Sequence, residues 1–393
     1  MLSAQSILSA YESGLRLLES GKISEARLKF DEIIAIRPYY YDAYVGRART
    51  YVAEDKEKEA LADFSTALGI KEGWYEALYY RGLLHFSKGR YRPALSDLEE
   101  CLRNREGWLP AMLARSSVQR RLGKNADALL TLNDAVNKAK ERPWLDLFIA
   151  RGILLRDMGK ARAGLEDISA ALKMSLAPDS LLLIRSKLLL GVGDTSSAIR
   201  DLGTYLGKYP SDAAPRRERA LLHVATGGCA AAVSDLNILI DEQRIKEDAV
   251  LYEARAHCYL RLGDPEKAVS DLTRATMYDR DNDGLYLQRA EAYAAQGKDN
   301  AALADFRRLI RFGSTDPRPW IGRAKYYIDR KRWDLALADL DEAVKAQPTP
   351  EGHYLRAVCY YEMKNDRKAC EELDTAAGLG HQEAIRMAKE FCK

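Results

Sequence analysis

The sequence is poor in features that mark several common protein classes. It has only six cysteines in 393 residues and no CxxC spacing, which excludes a disulfide-built miniature domain and a zinc ribbon. It lacks an apolar run long enough to span a bilayer, because even residues 180–190 are interrupted by Arg185 and Lys187. Its net charge is only +3, so it also lacks the basic excess typical of polyanion-binding proteins.

Motifs for catalysis are missing as well. The five histidines are scattered without an HExxH or another close pair, and there is no phosphate-binding loop, nucleophile elbow or HPD tripeptide. A GxG sequence at 191–193 is not preceded by a strand pattern and fits a turn. We therefore expect no enzymatic activity, no catalytic residue, no metal site and no cofactor.

The N-terminus gives an expectation about location. Its first twenty residues have no basic segment and contain Glu12 and Glu19, unlike a secretory signal. We expect a cytoplasmic protein, with a periplasmic or secreted one as the alternative if a signal peptide has been removed.

What the chain does contain is a repeat of about 34 residues. Place eight of the repeat is always small, as at Gly14 and Ala48, and place twenty is always alanine or glycine. Place twenty-four is always bulky and apolar, as at Phe30. Two small columns twelve residues apart let two helices cross closely, so each repeat is predicted to be a helix pair. Eleven repeats fit, with starts near residues 7, 41, 75, 109, 145, 179, 213, 249, 283, 317 and 350.

Place fifteen separates the two helices of each repeat. It is glycine in eight of the eleven repeats. Glycine readily takes the left-handed conformation that ends a helix, so a tight turn is predicted there. No segment has the pattern of a strand.

This combination of small, bulky and glycine positions resembles the tetratricopeptide repeat (TPR) family along nearly the whole chain. The resemblance implies an all-α solenoid, a right-handed superhelix of antiparallel helix pairs whose first helices line an inner groove. The expected organisation is an array over residues 1–381 and a C-terminal capping helix over residues 382–393. Ala384, Ile385, Ala388 and Phe391 lie on one side of that helix.

Two cysteines lie at this end of the chain, Cys370 and Cys392, where the sequence resembles the close of some bacterial TPR proteins. We expect reduced thiols there. The alternative is a disulfide that clamps the cap, if the protein occupies an oxidising compartment.

An arginine column accompanies the repeats. Place seven is arginine in ten repeats, and place twenty-three is a carboxylate in nine of those ten. The first repeat lacks both residues, and only Arg115 faces an uncharged partner, Thr131. We interpret the two columns as bidentate ion pairs inside each repeat rather than as a nucleic-acid stripe. The predicted pairs are Arg47–Asp63, Arg81–Asp97, Arg151–Asp167, Arg185–Asp201, Arg219–Asp235, Arg255–Asp271, Arg289–Asp305, Arg323–Asp339 and Arg356–Glu372.

Places two, five, nine, twelve and thirteen of each first helix fall on the side away from its sister helix, and in the TPR family this side lines the groove. In repeats one to three the predicted groove residues are mainly apolar: Tyr11, Leu15, Arg49, Tyr79, Leu83 and Phe86. In repeats four to seven they are basic: Arg120, Arg121, Arg156, Lys187 and Arg217. The simpler interpretation is that the apolar residues pack against the next repeat and the basic residues are solvated.

We predict a non-enzymatic protein–protein interaction scaffold or adaptor. Its groove would bind a partner segment with apolar anchors followed by acidic residues. One alternative is an RNA-binding helical-repeat protein, but repeats four to seven lack aromatic side chains among their basic groove residues on which bases could stack. Another is an accessory subunit of a secretion or enzyme assembly. A clamp for chaperone tails is not expected, because its characteristic asparagines are missing.

The ion-pair interpretation predicts coupling between Arg185 and Asp201. Asp201→Ala should destabilise the chain more than Asp201→Ala combined with Arg185→Leu, because the single change leaves a buried charge unpaired, at a cost of roughly 3–5 kcal/mol. A double-mutant cycle in urea measures the coupling, and strictly additive effects would contradict the pair.

Overall fold

The computed structural model describes residues 4–242, 245, 247–311 and 315–392. Throughout these residues the secondary structure is helical, without a strand, and no described helix is both long and apolar enough to cross a membrane. The helices are α1 (Ala4–Glu19), α2 (Ile23–Ile36), α3 (Tyr41–Ala53), α4 (Glu57–Ile70), α5 (Tyr75–Ser87), α6 (Tyr91–Asn104), α7 (Leu109–Arg121), α8 (Asn125–Lys138), α9 (Leu145–Asp157), α10 (Ala161–Leu172), α11 (Leu181–Gly191), α12 (Thr195–Lys208), α13 (Ala213–Ala225), α14 (Cys229–Asn237), α15 (Ala249–Arg261), α16 (Pro265–Tyr278), α17 (Asp283–Ala295), α18 (Asp299–Arg311), α19 (Arg318–Asp329), α20 (Trp333–Ala346), α21 (Pro350–Glu362), α22 (Asp366–Gly378) and α23 (Gln382–Phe391).

These helices form eleven consecutive pairs followed by the capping helix α23. Most pairs begin where the sequence predicts a repeat to start, as α3 does at Tyr41 and α21 at Pro350. The pairs group into two compact bodies, Met1–Asp201 and Leu202–Lys393, and α12 runs across the division. One array over residues 1–381 therefore stays a prediction.

The two small columns lie at the crossing of the helices in each pair. Every residue at places eight and twenty is buried, and the bulky side chain at place twenty-four is buried beside them. A methyl group added to Gly152 would come within 2.7 Å of Ile168, and one on Gly164 within 2.9 Å of the Gly152 carbonyl oxygen. The alanines and glycines are thus required by the close approach of the helix backbones.

All eleven place-fifteen residues have a left-handed backbone. The eight glycines have φ between 70° and 83°, and the three other residues, Asp55, Lys331 and Lys364, have φ of 57°, 56° and 64°. The turn therefore dictates the conformation at this place even where glycine is missing, and there the backbone is strained.

All nine ion pairs predicted from the sequence are present. In eight of them Nε and Nη2 of the arginine donate to the two oxygens of one aspartate at 2.6–2.9 Å. These eight aspartates are all buried. The ninth pair, Arg356–Glu372, has one contact at 3.2 Å. Since a buried carboxylate needs full compensation, each pair fixes how its two helices meet.

Four of these arginines also bind the preceding repeat, a contact that was not predicted from the sequence. In Arg47, Arg151 and Arg255 the Nη1 nitrogen donates to the side chain at place twenty-five of that repeat, on its second helix. Arg356 forms an ion pair with the side chain at the same place. One arginine thereby joins three helices. The signal in the sequence is an aspartate or asparagine at place twenty-five, and the contacts are Arg47–Asp31 at 2.7 Å, Arg151–Asn133 at 3.1 Å, Arg255–Asn237 at 2.9 Å and Arg356–Asp341 at 3.2 Å.

Arg115 is the exception in the structure as in the sequence. Its Nη2 donates to the Thr131 hydroxyl at 3.1 Å, and that hydroxyl in turn donates to Gln119 at 3.0 Å. Its Nε is buried without an acceptor among the described residues. A neutral hydrogen-bonded network therefore replaces the ion pair of the other repeats.

The repeat that starts near residue 213 is two residues longer than the frame, and its second helix changes character. After α14 the chain forms a π-helical turn, Ile238–Glu242. Asp241 of this turn and Asn237 before it both accept from Nη1 of Arg255 at 2.9 Å. The π-helical turn accommodates the extra residues of this repeat. The contacts to Arg255 of the next repeat are kept.

The capping helix α23 covers the last pair. Ala384 of α23 is buried, and Met387 and Ala388 pack against Leu373 and Ala376 of α22. Beyond its C-terminus, Cys392 forms a disulfide with Cys370. The structure therefore contains the alternative that the sequence left open, in place of the expected thiols. The other four cysteines are free and buried.

The strained turns predict a stabilising substitution. Lys331→Gly should raise the free energy of unfolding by up to about 1 kcal/mol, because glycine relieves the left-handed strain at an exposed position. Gly297→Ala, at the same place in the preceding repeat, should lower it by about 1 kcal/mol. Urea unfolding measures both, and opposite signs would contradict the assignment.

Candidate functional site

The first helices of consecutive repeats lie beside one another within each body. In the first body the contacts run α1–α3, α3–α5, α5–α7 and α7–α9, and in the second they include α13–α15, α17–α19 and α19–α21. The side of these helices that faces away from their sister helices carries the predicted groove places. It is the surface on which a partner would meet several repeats at once.

A cavity of about 410 Å³ opens on this surface between α3 and α5. Leu18, Val52 and Leu83 contribute apolar walls, and Arg49 and Tyr80 also line it. The guanidinium of Arg49 lies 4.5 Å from the centroid of the Tyr80 ring, a cation–π contact. No carboxylate of the described chain lies within ion-pair distance of Arg49. The cavity thus combines apolar walls with an uncompensated positive charge.

Two predicted groove residues of the first repeat serve packing instead. The Tyr11 ring lies 5.9 Å from that of Phe30 and 5.8 Å from that of Tyr40, and Leu15 packs against the same cluster. Burial raises the pKa of Tyr11, with the nearby carboxylates of Asp42 and Glu76 adding to the effect.

Tyr79 and Phe86 likewise contact their neighbours. The Tyr79 ring lies 4.7 Å from that of Trp108, and the Phe86 ring lies 5.8 Å from that of Tyr91. Both side chains pack against the cluster that contains Val118 of the next repeat. For these two residues the simpler interpretation, packing between repeats, describes the contacts. Leu83 and Arg49, in contrast, line the cavity.

A second cavity, of about 250 Å³, lies between α7 and α9. Ile149, Ile153 and Leu154 line it together with Arg120 and Asp146. It occupies the same side of the first helices as the α3–α5 cavity, two repeats further along. Its apolar lining and charged edge give it a similar character.

The predicted basic groove residues of the first body differ in how far their charges are compensated. Arg120 and Arg156 both bind Asp157, at 3.2 and 2.8 Å, so two guanidinium groups share one carboxylate. Arg121 and Lys187 are exposed and have no ion-pair partner among the described residues. The first body therefore presents excess positive charge here.

Arg217 belongs to the second body. It is exposed and lies 3.0 Å from Asp248 on the N-terminal side of α15. Asp248, which the repeat pattern does not indicate, thus partly compensates its charge.

Acidic groups at place two were not predicted from the sequence. Asp42 and Glu76 occupy it in α3 and α5. Asp42 Oδ1 is buried and has no donor within the described chain, and burial together with the Glu76 carboxylate raises the pKa of Asp42 to about 6. Place two belongs to the groove face, so its acids could have been found by reading that column alone.

The second body has a counterpart between α17 and α19, a cavity of about 300 Å³. Its lining includes Glu291, Lys325 and Asp329, and Lys325 also binds Glu351 at 2.5 Å. Places nine and thirteen of α19 therefore carry the charged Lys325 and Asp329, where the same places of α5 are Leu83 and Ser87. Corresponding places of the repeat therefore carry different side chains in the cavities of the two bodies.

A family model described as tetratricopeptide repeat matches residues 253–317 and 321–384. Human (Homo sapiens) DnaJ homolog subfamily C member 3 is 28% identical over 175 residues, which cover 41% of this chain and 34% of that protein. The chain thus spans about a third of the length of the curated relatives it matches.

Two solved structures are also similar. The first is a tetratricopeptide repeat protein from Parabacteroides merdae, at 17% identity and a TM-score of 0.41, covering 81% of this chain and 99% of that one. The second is yeast Tom70, at 14% identity and a TM-score of 0.37, covering 99% of this chain and 96% of that one.

The paired helices and their recurring crossing define an all-α helical repeat protein. With the family match in its C-terminal part and the same columns in all eleven repeats, the chain is a tetratricopeptide repeat protein. Proteins of this class generally mediate protein–protein interactions.

The raised pKa of Asp42 predicts a dependence of stability on pH. The folded state favours protonated Asp42, whereas an unfolded aspartate titrates near about 4. This stabilisation is complete below about pH 4 and is lost as the pH rises through about 6. Asp42→Asn should therefore raise the melting temperature at pH 8 and leave it unchanged at pH 4.

Glu59→Gln is the matched control. Glu59 lies in the first turn of α4, as Asp42 does in that of α3, but its side chain is exposed. The control should give no such rise at pH 8. Equal behaviour of the two variants in thermal melts would contradict the assignment.

Proposed function

We propose that this protein is a non-enzymatic scaffold that holds a segment of a partner protein on the exposed face of its first helices. The observation that carries the proposal is the cavity of about 410 Å³ between α3 and α5, with apolar walls and the unpaired Arg49. Open apolar cavities on a repeat surface are typical of anchor sites for partner side chains.

The partner segment would have an apolar anchor followed by acidic residues. The anchor would enter the α3–α5 cavity, where Arg49 can bind a neighbouring carboxylate. The acidic residues would meet the excess positive charge of Arg120, Arg121, Arg156 and Lys187. Because these four side chains are solvated, their main contribution would be to orientation and association rate.

Charge reversal tests the basic part of the surface. The double variant Arg156→Glu with Lys187→Glu should weaken binding at least tenfold. The melting temperature should change little, because neither side chain is part of the core. The probe is a set of fluorescein-labelled peptides with one Leu or Phe followed by Asp and Glu residues, and fluorescence anisotropy is the measurement.

The matched control is Lys140→Glu with Lys173→Glu. These lysines are exposed, lie between repeats, and change the net charge by the same amount. Equal loss of affinity in both double variants would show that the effect depends only on overall charge. No loss in either variant would show that the basic residues do not contribute to binding.

Leu83→Gln tests the apolar part. It should lower affinity about fivefold for peptides that carry the anchor and leave peptides without an anchor unaffected. If an oligouridine RNA bound instead, with an affinity that falls steeply with salt and is unchanged by Leu83→Gln, the protein-segment proposal would be wrong.

A further inference from the structure

The capping helix α23 is attached firmly at its N-terminal end. His381 Nδ1 accepts a hydrogen bond from the backbone N–H of Ala384 at 3.2 Å. The His381 ring also stacks on Tyr354, with centroids 4.3 Å apart. Ala384 is fully buried in the cluster formed with Leu373 and Ala376. Capping, stacking and burial therefore all act on the first turn of this helix.

The C-terminal half of α23 packs less completely. A cavity of about 160 Å³ lies beside it, lined by Tyr361, Leu373, Met387 and Phe391. Phe391 is 51% exposed, and its ring centroid lies 5.8 Å from that of Tyr361. A void deprives the surrounding side chains of contacts, so apolar packing holds this half weakly.

Other interactions do not replace that packing. Arg386 pairs with Glu383 of the same helix, so this contact does not tie α23 to its neighbours. A helix of ten residues is also too short to persist in water without support. Beyond the packing of Met387 and Ala388 against α22, the C-terminal half is held by the disulfide, because Cys392 directly follows α23, and Cys370 lies on α22 at the edge of the cavity.

We propose that the Cys370–Cys392 disulfide is a redox-sensitive clamp on the capping helix. With the bond closed, α23 lies along the last helix pair. When the bond is reduced, the C-terminal half of α23 separates, and the cavity beside Tyr361 and Leu373 opens to solvent. The first turn stays attached through His381 and Ala384.

The reductant in this step is a dithiol. One of its thiolates attacks one sulfur of the disulfide, and the other sulfur leaves as a thiolate and takes up a proton. The second thiol of the reductant then attacks the mixed disulfide. Two electrons pass in total: Cys370 and Cys392 become thiols, and the dithiol becomes a disulfide. The clamp is therefore closed in an oxidising compartment and open in a reducing one.

Hydrogen exchange with mass spectrometry on the full chain tests the clamp. Addition of dithiothreitol should speed exchange of the amides in residues 386–391 at least tenfold, while α21 keeps its protection. Cys392→Ser should show the same fast exchange without reductant, and dithiothreitol should then have no further effect. Unchanged protection of residues 386–391 in both the reduced protein and the variant would overturn the proposal.

The oxidation state of the starting material is measured separately. Denaturation with iodoacetamide and no reductant should add four carbamidomethyl groups, one for each free cysteine. Addition of six, the full number of cysteines in the chain, would show that the bond is not formed and would overturn the clamp.

Discussion

The interaction on which nine of the eleven helix pairs depend is the arginine–carboxylate pair at the helix crossing. The carboxylate is buried, so it must be compensated, and a guanidinium with two parallel hydrogen bonds fixes both distance and direction. Where place twenty-five is aspartate or asparagine, the same arginine also holds the preceding repeat. The helix pair and the contact between repeats are thus set by one side chain, as at Arg47 between Asp63 and Asp31.

Places seven, eight, twenty and twenty-four of the repeat are used for packing. Places two, five, nine, twelve and thirteen of the first helices therefore remain for binding. Cavities form on that remaining face at corresponding positions, and their chemistry varies from repeat to repeat. The α3–α5 cavity is apolar beside Arg49, whereas the α17–α19 cavity has Glu291, Lys325 and Asp329. A constant packing pattern with a variable surface is how a repeat protein can acquire specificity without a change of fold.

What could be predicted from the sequence follows from this separation of packing places and surface places. Periodicity placed the helices and the left-handed turns, and the turn keeps its conformation even at Asp55 and Lys331, where glycine is missing. Periodicity could not separate Leu83, which lines a cavity, from Tyr79, which packs against Trp108. Both lie on one helix face, and the size of the neighbouring side chain decides which of them is covered.

The sequence by itself determined the repeat, the pairing of helices and the arginine partners of the buried aspartates, because these depend on spacing along one or two helices. Tertiary structure decided which groove charges are free, as for Lys187, and which are shared, as for Arg120 and Arg156 on Asp157. It also decided that Cys370 and Cys392 meet. The repeat pattern shows which places carry similar residues. It does not show which side chains of different helices come within contact distance in the folded protein.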